Sequence, residues 1–217
     1  QDEEWKYTSL NKIVKRDVDF SSQVSSVILA EEIEPFLCEG LDSYKLIFIN
    51  GVFNKSLSIL GSNEKFFVGS LKQGMKEMPD IINTHFGKLA DTKQSLVALN
   101  TAMANEGAFV YVKKGIKLDK LVQILFVNTN HEESRMMQTR NLFVLEDFAE
   151  AQIFERHQAF NQGHVFSNSV TESSVGNQAH FKHFKLQNDL NSSSMVDSTF
   201  VIWMIIKIEH DLENLKH

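Results

Sequence analysis

The chain has 217 residues, of which 42% are hydrophobic and 23% charged, values typical of a globular protein with one domain or a domain with a small appendage. Its formal net charge of −6 argues against nucleic-acid binding, because phosphate backbones are bound by clustered Lys and Arg. The most apolar run, 200–206, is far shorter than the roughly 20 residues that cross a bilayer, so we expect no membrane span.

The cysteine usage and the start of the sequence indicate a compartment. Cys38 is the single cysteine, so an intramolecular disulfide is impossible, which suits a reducing environment. The first six residues are polar and acidic, unlike a secretory signal. We therefore predict a cytoplasmic protein, and we interpret Cys38 as an inert thiol because no neighbouring His or Cys supports a reactive one.

The first predicted strand follows a mixed, helical or irregular segment. Apolar residues at 46–49 are followed by Asn50-Gly51, a dipeptide typical of tight hairpin turns. Phe53 and then the apolar positions within 57–60 continue the strand pattern. The sequence thus predicts that β-structure begins near residue 46.

A helical interlude is predicted over about 70–106. Ser70 and Gln73 have the spacing of a capping box, and Pro79 is expected to end that short helix. Gly107 stands where a left-handed cap is expected. Two further helices are predicted from their apolar spacing, over 80–89 and 92–105.

Short β-like runs then recur, separated by Gly, Asn and Asp, over 109–112, 121–127, 142–145, 151–154, 170–175 and 181–186. When the sequence is aligned with itself at a shift of 30 residues, similar residues coincide: Leu145 with Val175, Asp147 with Asn177, Ala149 with Ala179 and Phe154 with Phe184. In two further pairs an acidic residue coincides with a basic one: Glu150 with His180 and Glu155 with Lys185. A period in this range is typical of stacked coils, in which like residues stack inward and opposite charges pair outward. Alternatively, the match could arise from two unrelated strand–turn–strand segments whose sequences agree by chance.

Several motifs occur in the order found in one family. They are EWKYT at 4–8, ALNTA at 98–102, GAFVYVKKG at 107–115, QTRNLFV at 138–144, NSVTE at 168–172, VGNQA at 175–179 and FKLQN at 184–188. Together they resemble the SufB/SufD family of iron–sulfur cluster assembly scaffolds, and the first element favours the SufD type. The resemblance covers about 4–200 and suggests a chain truncated at both ends relative to the family.

The resemblance implies a mainly β chain that forms a single-stranded, right-handed parallel β-helix with N-terminal and inserted α-helices. It implies a scaffold subunit of the SUF machine, not an enzyme, with SufB-like and SufC-like partners and an ATPase in a partner subunit. A homodimer through β-helix edges is also conceivable, whereas no nucleic-acid or membrane partner is implied. No cofactor is expected to be bound by this chain alone, since the full complex assembles the cluster. We divide the chain into a helical or irregular segment 1–45, a β-helix core 46–200 and a divergent tail 201–217.

Histidines are the first candidates for chemistry. His180 and His183 lie three apart, a spacing that could hold a metal on a helix, but on a strand their side chains point to opposite faces. His157 and His164 flank a loop without a matching ligand set. We therefore predict no metal site.

Carboxylates are the second candidates. Glu146, Asp147 and Glu150 form an acidic turn that could serve acid–base catalysis or bind calcium. The turn that overlays it in the self-match is uncharged, so a polar coil corner is the better interpretation. No phosphate loop or nucleophile elbow occurs, and we predict no catalytic residues.

Two other functions fit a coiled β chain. A β-helix carbohydrate-active lyase or hydrolase would require a groove with clustered acids, usually in a secreted protein. A hexapeptide-type acyltransferase would have a period near 18 instead of 30. The lyase or hydrolase is the stronger of the two alternatives.

Overall fold

The computed structural model describes residues 28–104, 106–129, 135–160, 165–188 and 193–204. The motif at 4–8, His164 and most of the predicted tail lie outside these ranges. Four helices are described: α1 Ala30–Ile33, α2 Leu71–Glu77, α3 Pro79–His85 and α4 Ser95–Met103. A 3₁₀ turn at Glu34–Phe36 follows α1 directly.

Eleven strands are described: β1 Ser43–Ile49, β2 Val52–Phe53, β3 Gly61–Ser62, β4 Phe66–Ser70, β5 Ala108–Val112, β6 Leu121–Asn128, β7 Arg135–Leu145, β8 Glu150–Ala159, β9 Val165–Val175, β10 His180–Asn188 and β11 Ser194–Trp203. They form a five-stranded sheet in the order β10-β8-β6-β1-β2 and a six-stranded sheet in the order β11-β9-β7-β5-β4-β3. From β5 onward, consecutive strands alternate between the two sheets. The expectation of a mainly β chain with helices before and among the strands is confirmed.

Parallel pairing connects β10, β8, β6 and β1 in one sheet and β11, β9, β7 and β5 in the other, whereas β1–β2, β3–β4 and β4–β5 pair antiparallel. In the five-stranded sheet Phe154 of β8 lies directly opposite Phe184 of β10, and in the six-stranded sheet Leu145 of β7 lies opposite Val175 of β9. These are pairs that the sequence self-match superposes. The like residues therefore do stack one strand above the next.

The turns between sheets repeat with the same spacing. Phe148 and Gln178 occupy equivalent places in two successive turns, and both have positive φ angles, of 61° and 53°. Gly176 lies so close to the preceding turn that a Cβ atom there would come within 2.5 Å of the Asp147 backbone nitrogen. The repeat seen in the sequence therefore extends from the strands to the corners, where one turn rests directly on another.

The main apolar core lies between the two sheets. It contains inward-facing residues of both, including Phe48 of β1, Val110 of β5 and Ile153 of β8. Helices α2 and α3 cover the outer face of the six-stranded sheet, where Leu71 and Ile82 pack against Phe109. The segment around α1 covers the outer face of the other sheet.

Local predictions are confirmed where turn chemistry decides the structure. Ser70 caps α2, accepting a hydrogen bond from the Gln73 N–H at 3.2 Å, and α2 ends before Pro79, which begins α3. Asn50 and Gly51 both have positive φ and join β1 to its antiparallel neighbour β2.

Other expectations are wrong in detail. Gly107 is not among the described residues with left-handed φ. It is needed for close approach, because a Cβ there would lie 1.8 Å from the Arg140 carbonyl oxygen. Within 57–60 only Ile59 makes a described strand contact, a single bridge to Lys45. Strand β11 was not predicted, and it continues through Trp203 into the expected tail.

No helix among the described residues is long and apolar enough to cross a membrane.

Candidate functional site

A cluster of charged side chains lies between the two sheets, where the core is otherwise apolar. Alternation along β8 turns Ile153, Glu155 and His157 inward, and alternation along β10 turns His183 and Lys185 to the same side. We call these last four residues the inner cluster: Glu155, His157, His183 and Lys185. Parallel pairing places Lys185 directly opposite Glu155.

Glu155 is the centre of the inner cluster and is fully buried. Its Oε1 lies 2.7 Å from His157 Nε2 and 3.2 Å from Lys185 Nζ, and its Oε2 lies 2.9 Å from His183 Nε2. The imidazoles are held by rings: His157 stacks on Phe126, and His183 meets Phe143 edge to face. The prediction that Glu155 overlays Lys185 is confirmed, but the pair points inward, not outward.

The hydrogen bonds determine the charge of this carboxyl group. Burial by itself would raise the pKa of Glu155, but hydrogen bonds to His157 and His183 and the charge of Lys185 outweigh it and hold the pKa well below its usual value. The group is therefore ionised at neutral pH. A buried carboxylate that is fully engaged by its neighbours is suited to holding strands together.

A second buried ion pair lies on the outer face of the six-stranded sheet, beneath the helices. Arg140 of β7 and Glu172 of β9 pair at 2.6 Å, and both side chains are almost completely buried. Glu172 also accepts hydrogen bonds from the backbone N–H groups of Gly87, Leu89 and Ala90 at 2.8–3.1 Å. This pair fastens the connection between α3 and α4 to the sheet.

The electrostatics of the second pair resemble those of the first. Burial would raise the pKa of Glu172, but backbone hydrogen bonds, above all from Leu89, and the Arg140 guanidinium hold that pKa below its usual value. Phe86 also lies against the guanidinium, with its ring centre 5.2 Å away. The pair and its surrounding dipoles form one compact unit.

Two buried asparagines attach α4 to the same sheet. Asn100 donates hydrogen bonds to the carbonyl oxygens of Thr139 and Asn168, both at 2.9 Å. Asn168 donates in turn to the Leu96 carbonyl oxygen at 2.8 Å. Asn100 and Asn168 belong to the ALNTA and NSVTE motifs, whose polar positions thus link helix and sheet.

The acidic turn is a corner, as predicted. Glu146 accepts hydrogen bonds from the Tyr111 hydroxyl at 2.6 Å and from the Lys114 N–H at 2.9 Å. Asp147 accepts one from the Asn177 N–H, one turn further on. Burial, together with the hydrogen bond to Glu146, raises the pKa of Tyr111. These carboxylates hold backbone and side chains of the corner in place.

The other candidates are dispersed. His180 is exposed on the outer face while His183 points inward, so the prediction that these two side chains diverge is confirmed. The Cys38 N–H donates to Gln123 Oε1 at 2.7 Å. Among the described residues, no group of three or more His, Cys, Asp or Glu is arranged to hold a metal.

Strands β10 and β11 are the edge strands of the two sheets at the end that carries the inner cluster. Large apolar side chains are exposed there, including Phe184 at 55% and Trp203 at 52%. An edge strand leaves backbone N–H and C=O groups available for pairing with another strand. The inner cluster thus lies on the last two strands of the five-stranded sheet that the structure describes.

Sequence reasoning missed the Arg140–Glu172 pair, and it missed the burial of the Glu155–Lys185 pair whose overlay it had predicted. Arg140 and Glu172 lie within the family motifs, but nothing in the charge pattern of the sequence indicated that their side chains are buried. The signal for the inner cluster was present, because a strictly alternating strand that is apolar at Ile153 must turn Glu155 and His157 to the same side.

Comparisons with known proteins identify the family of the chain. Residues 1–124 match the family model of the SufBD protein N-terminal region, and residues 126–204 match the SUF system FeS cluster assembly SufBD core domain. Two iron–sulfur cluster assembly SufBD family proteins of Synechocystis sp. are similar in sequence. One, slr0076, is 27% identical over 93% of this chain and 46% of its own length; the other, slr0074, is 27% identical over 55% of this chain and 25% of its own length. The chain thus spans less than half the length of either relative. With a family model matching more than half of its residues, the chain belongs to the SufBD family of the SUF iron–sulfur cluster assembly system.

Proposed function

We propose that the chain is a SufD-type scaffold of iron–sulfur cluster assembly, built as a right-handed parallel β-helix. The observation that carries the proposal is the constant parallel register that relates β8 to β10 and β7 to β9. Strands that alternate between two sheets and stack in parallel are what successive coils of a β-helix would produce. The positive-φ corners at Phe148 and Gln178 support the same coil length.

The proposed role is to hold partners in place. A SufB-like subunit would bind a strand edge of the β-helix by adding a strand, and a SufC-like subunit would supply ATP hydrolysis. A second copy of this chain could bind through such an edge instead. The chain itself performs no catalysis and holds no resident cofactor in this proposal, since the cluster is the cargo of the complete complex. A cytoplasmic location follows from the same proposal.

The alternative of a carbohydrate-active β-helix enzyme receives no support from the acidic turn. Such an enzyme needs carboxyl groups that face a substrate groove. Here Glu146 binds Tyr111 and the Lys114 backbone, and Glu150 forms an ion pair with Lys117 at 3.0 Å. Glu150 is the one described carboxylate that lines the cleft beside Lys117, His180 and Lys182, so clustered acids are missing from its described lining.

The test is recovery of partners with the tagged full-length gene product from cell extract, identified by mass spectrometry. We expect SufB-like and SufC-like proteins to be recovered together with the bait. Recovery of the free monomer alone would contradict the proposal.

A further inference from the structure

A cleft lies on the outer side of the five-stranded sheet, where β8 and β10 begin. Its volume is about 330 Å³, at the lower end of the range for small-molecule sites. Its polar lining comes from the segment before β6 and from the first residues of β8 and β10: Lys117, Glu150, Gln152, His180 and Lys182. None of these residues belongs to the inner cluster, whose side chains point to the other face of the same strands.

Strand pairing arranges these side chains in two short rows. Lys117 forms a parallel bridge with Glu150, and Glu150 lies opposite His180. Two residues further along, Gln152 lies opposite Lys182. Because neighbouring strands are only about 4.8 Å apart, the outward side chains converge on one small area. Side chains stand roughly perpendicular to a sheet, so a further strand paired with β10 would extend the rows and not cover them.

The charges of the cleft are predominantly positive. Lys117 Nζ lies 3.0 Å from Glu150 Oε2, and both side chains reach solvent. The hydrogen bond from Lys117 outweighs burial and, with the charges of Lys117, His180 and Lys182, holds the pKa of Glu150 below its usual value. All three basic groups therefore act at the same point. Two lysines face one carboxylate, which leaves an excess of positive charge in a chain whose formal net charge is −6.

We propose that this cleft binds a small oxyanion that carries two or more negative charges, such as a phosphate compound or a polycarboxylate. Lys117 and Lys182 supply ammonium groups, and Gln152 and His180 supply N–H donors. Glu150 is the competitor, because an incoming anion has to replace it at Lys117. That competition disfavours singly charged ions such as chloride and favours ligands of higher charge. The inference does not rest on the proposed function.

The test is isothermal titration calorimetry of the full-length gene product with pyrophosphate and, separately, with citrate. Ionic strength is kept low and constant, because salt screens exposed charges. We expect saturable binding at one site per chain with a Kd of about 1 mM or tighter for at least one probe. The probe that binds more tightly identifies the preferred class, phosphate or carboxylate. Absence of saturable binding for both probes would overturn the proposal.

Three variants locate the binding site, and all three change side chains that are exposed or half-buried. Lys182→Met should weaken binding of the preferred probe at least fivefold. Lys76→Met, which removes the same charge from an exposed position on α2, should change it less than twofold. Glu150→Gln should tighten binding at least threefold, because it removes the competitor for Lys117. Equal effects of the two lysine variants, or weaker binding by Glu150→Gln, would contradict a site in this cleft.

Discussion

Glu155 and Glu172 are both fully buried carboxylates on consecutive strands of the chain, yet they secure different regions. Glu172 accepts hydrogen bonds from backbone N–H groups between Gly87 and Ala90 as well as from Arg140, so it fixes a helical connection to a sheet. Glu155 contacts only side chains, two imidazoles and one ammonium group, among the described interactions. Backbone donors are fixed by the chain, whereas side-chain donors depend on their rotamers, so we expect the first site to be the rigid one and the second the more adaptable one.

The largest effect is expected at the rigid site. Arg140→Met leaves Glu172 buried without its cation, and removing one partner of a buried pair costs about 3–5 kcal/mol of unfolding free energy. Urea denaturation measures it. The double variant Arg140→Met/Glu172→Gln should recover part of the loss, because the uncompensated charge is gone. If Arg140→Met lowered the free energy of unfolding by less than about 1 kcal/mol, the buried pair would not be the more important of the two sites.

A smaller effect is expected at the adaptable site. Glu155→Gln removes the negative charge but leaves Lys185 paired with Asp197, so we expect a loss of about 1–3 kcal/mol. Urea denaturation gives the total loss, and amide exchange shows where the loss falls. If amide exchange in β10 were unchanged while exchange in the helices became faster, our assignment of Glu155 to stabilising β10 would be wrong.

The pH dependence compares the two carboxylates under acid conditions. The folded-state pKa of each lies below the ordinary value of 4.5, so each contributes stability that is fully present above pH 4.5 and is lost as pH falls toward the folded pKa. The groups facing Glu155 are His157, His183 and Lys185. Below pH 4, protonation of each carboxylate should steepen the fall in the free energy of unfolding by up to about 1.4 kcal/mol per pH unit.

The measurement is the urea midpoint of the wild type, Glu155→Gln and Glu172→Gln between pH 3 and pH 6. Each variant should show a shallower decline below pH 4.5 than the wild type, since one of the two protonation events has been removed. Parallel curves for all three proteins would show that these carboxyl groups are not the ones that titrate.

The smallest effect is expected at an exposed pair, which provides the baseline for both buried sites. Lys120 and Asp42 lie 2.7 Å apart, but Asp42 is largely exposed. Solvent screens such pairs, so Lys120→Met should leave the urea midpoint unchanged within error. A shift comparable with that of Arg140→Met would mean that burial does not distinguish these pairs.

The sequence allowed the register of the repeat to be predicted because one repeat length occurs twice. The step from β8 to β10 equals the step from β7 to β9, and it is the shift at which the sequence matches itself. Pairing of Val122 with Ile153 gives a step of 31, and pairing of Phe166 with Ser194 gives 28. Unequal steps hide the other repeats, which explains why β11 was missed.

The candidate site was harder to predict than the fold. Overlaying Glu155 on Lys185 was correct, but opposite charges were expected to face solvent, which is the ordinary case. Burial of this pair depends on contacts from His157 and His183, which come from positions 2 and 28 residues away. Gly107 was similarly assigned a left-handed cap, because a close approach to the Arg140 backbone cannot be seen from local sequence.

The equivalent corners at Phe148 and Gln178 have an evolutionary consequence. Inserting or deleting a single residue within the strand that follows a corner would reverse which side chains beyond that point face inward, moving Lys185 and His183 to the solvent side. Duplicating or excising one whole corner-to-corner module would leave every remaining side chain on its original face. Such molecules can therefore change length by whole modules or in the connections between strands, where the steps of 28, 30 and 31 residues differ, while tolerating few small indels inside a strand.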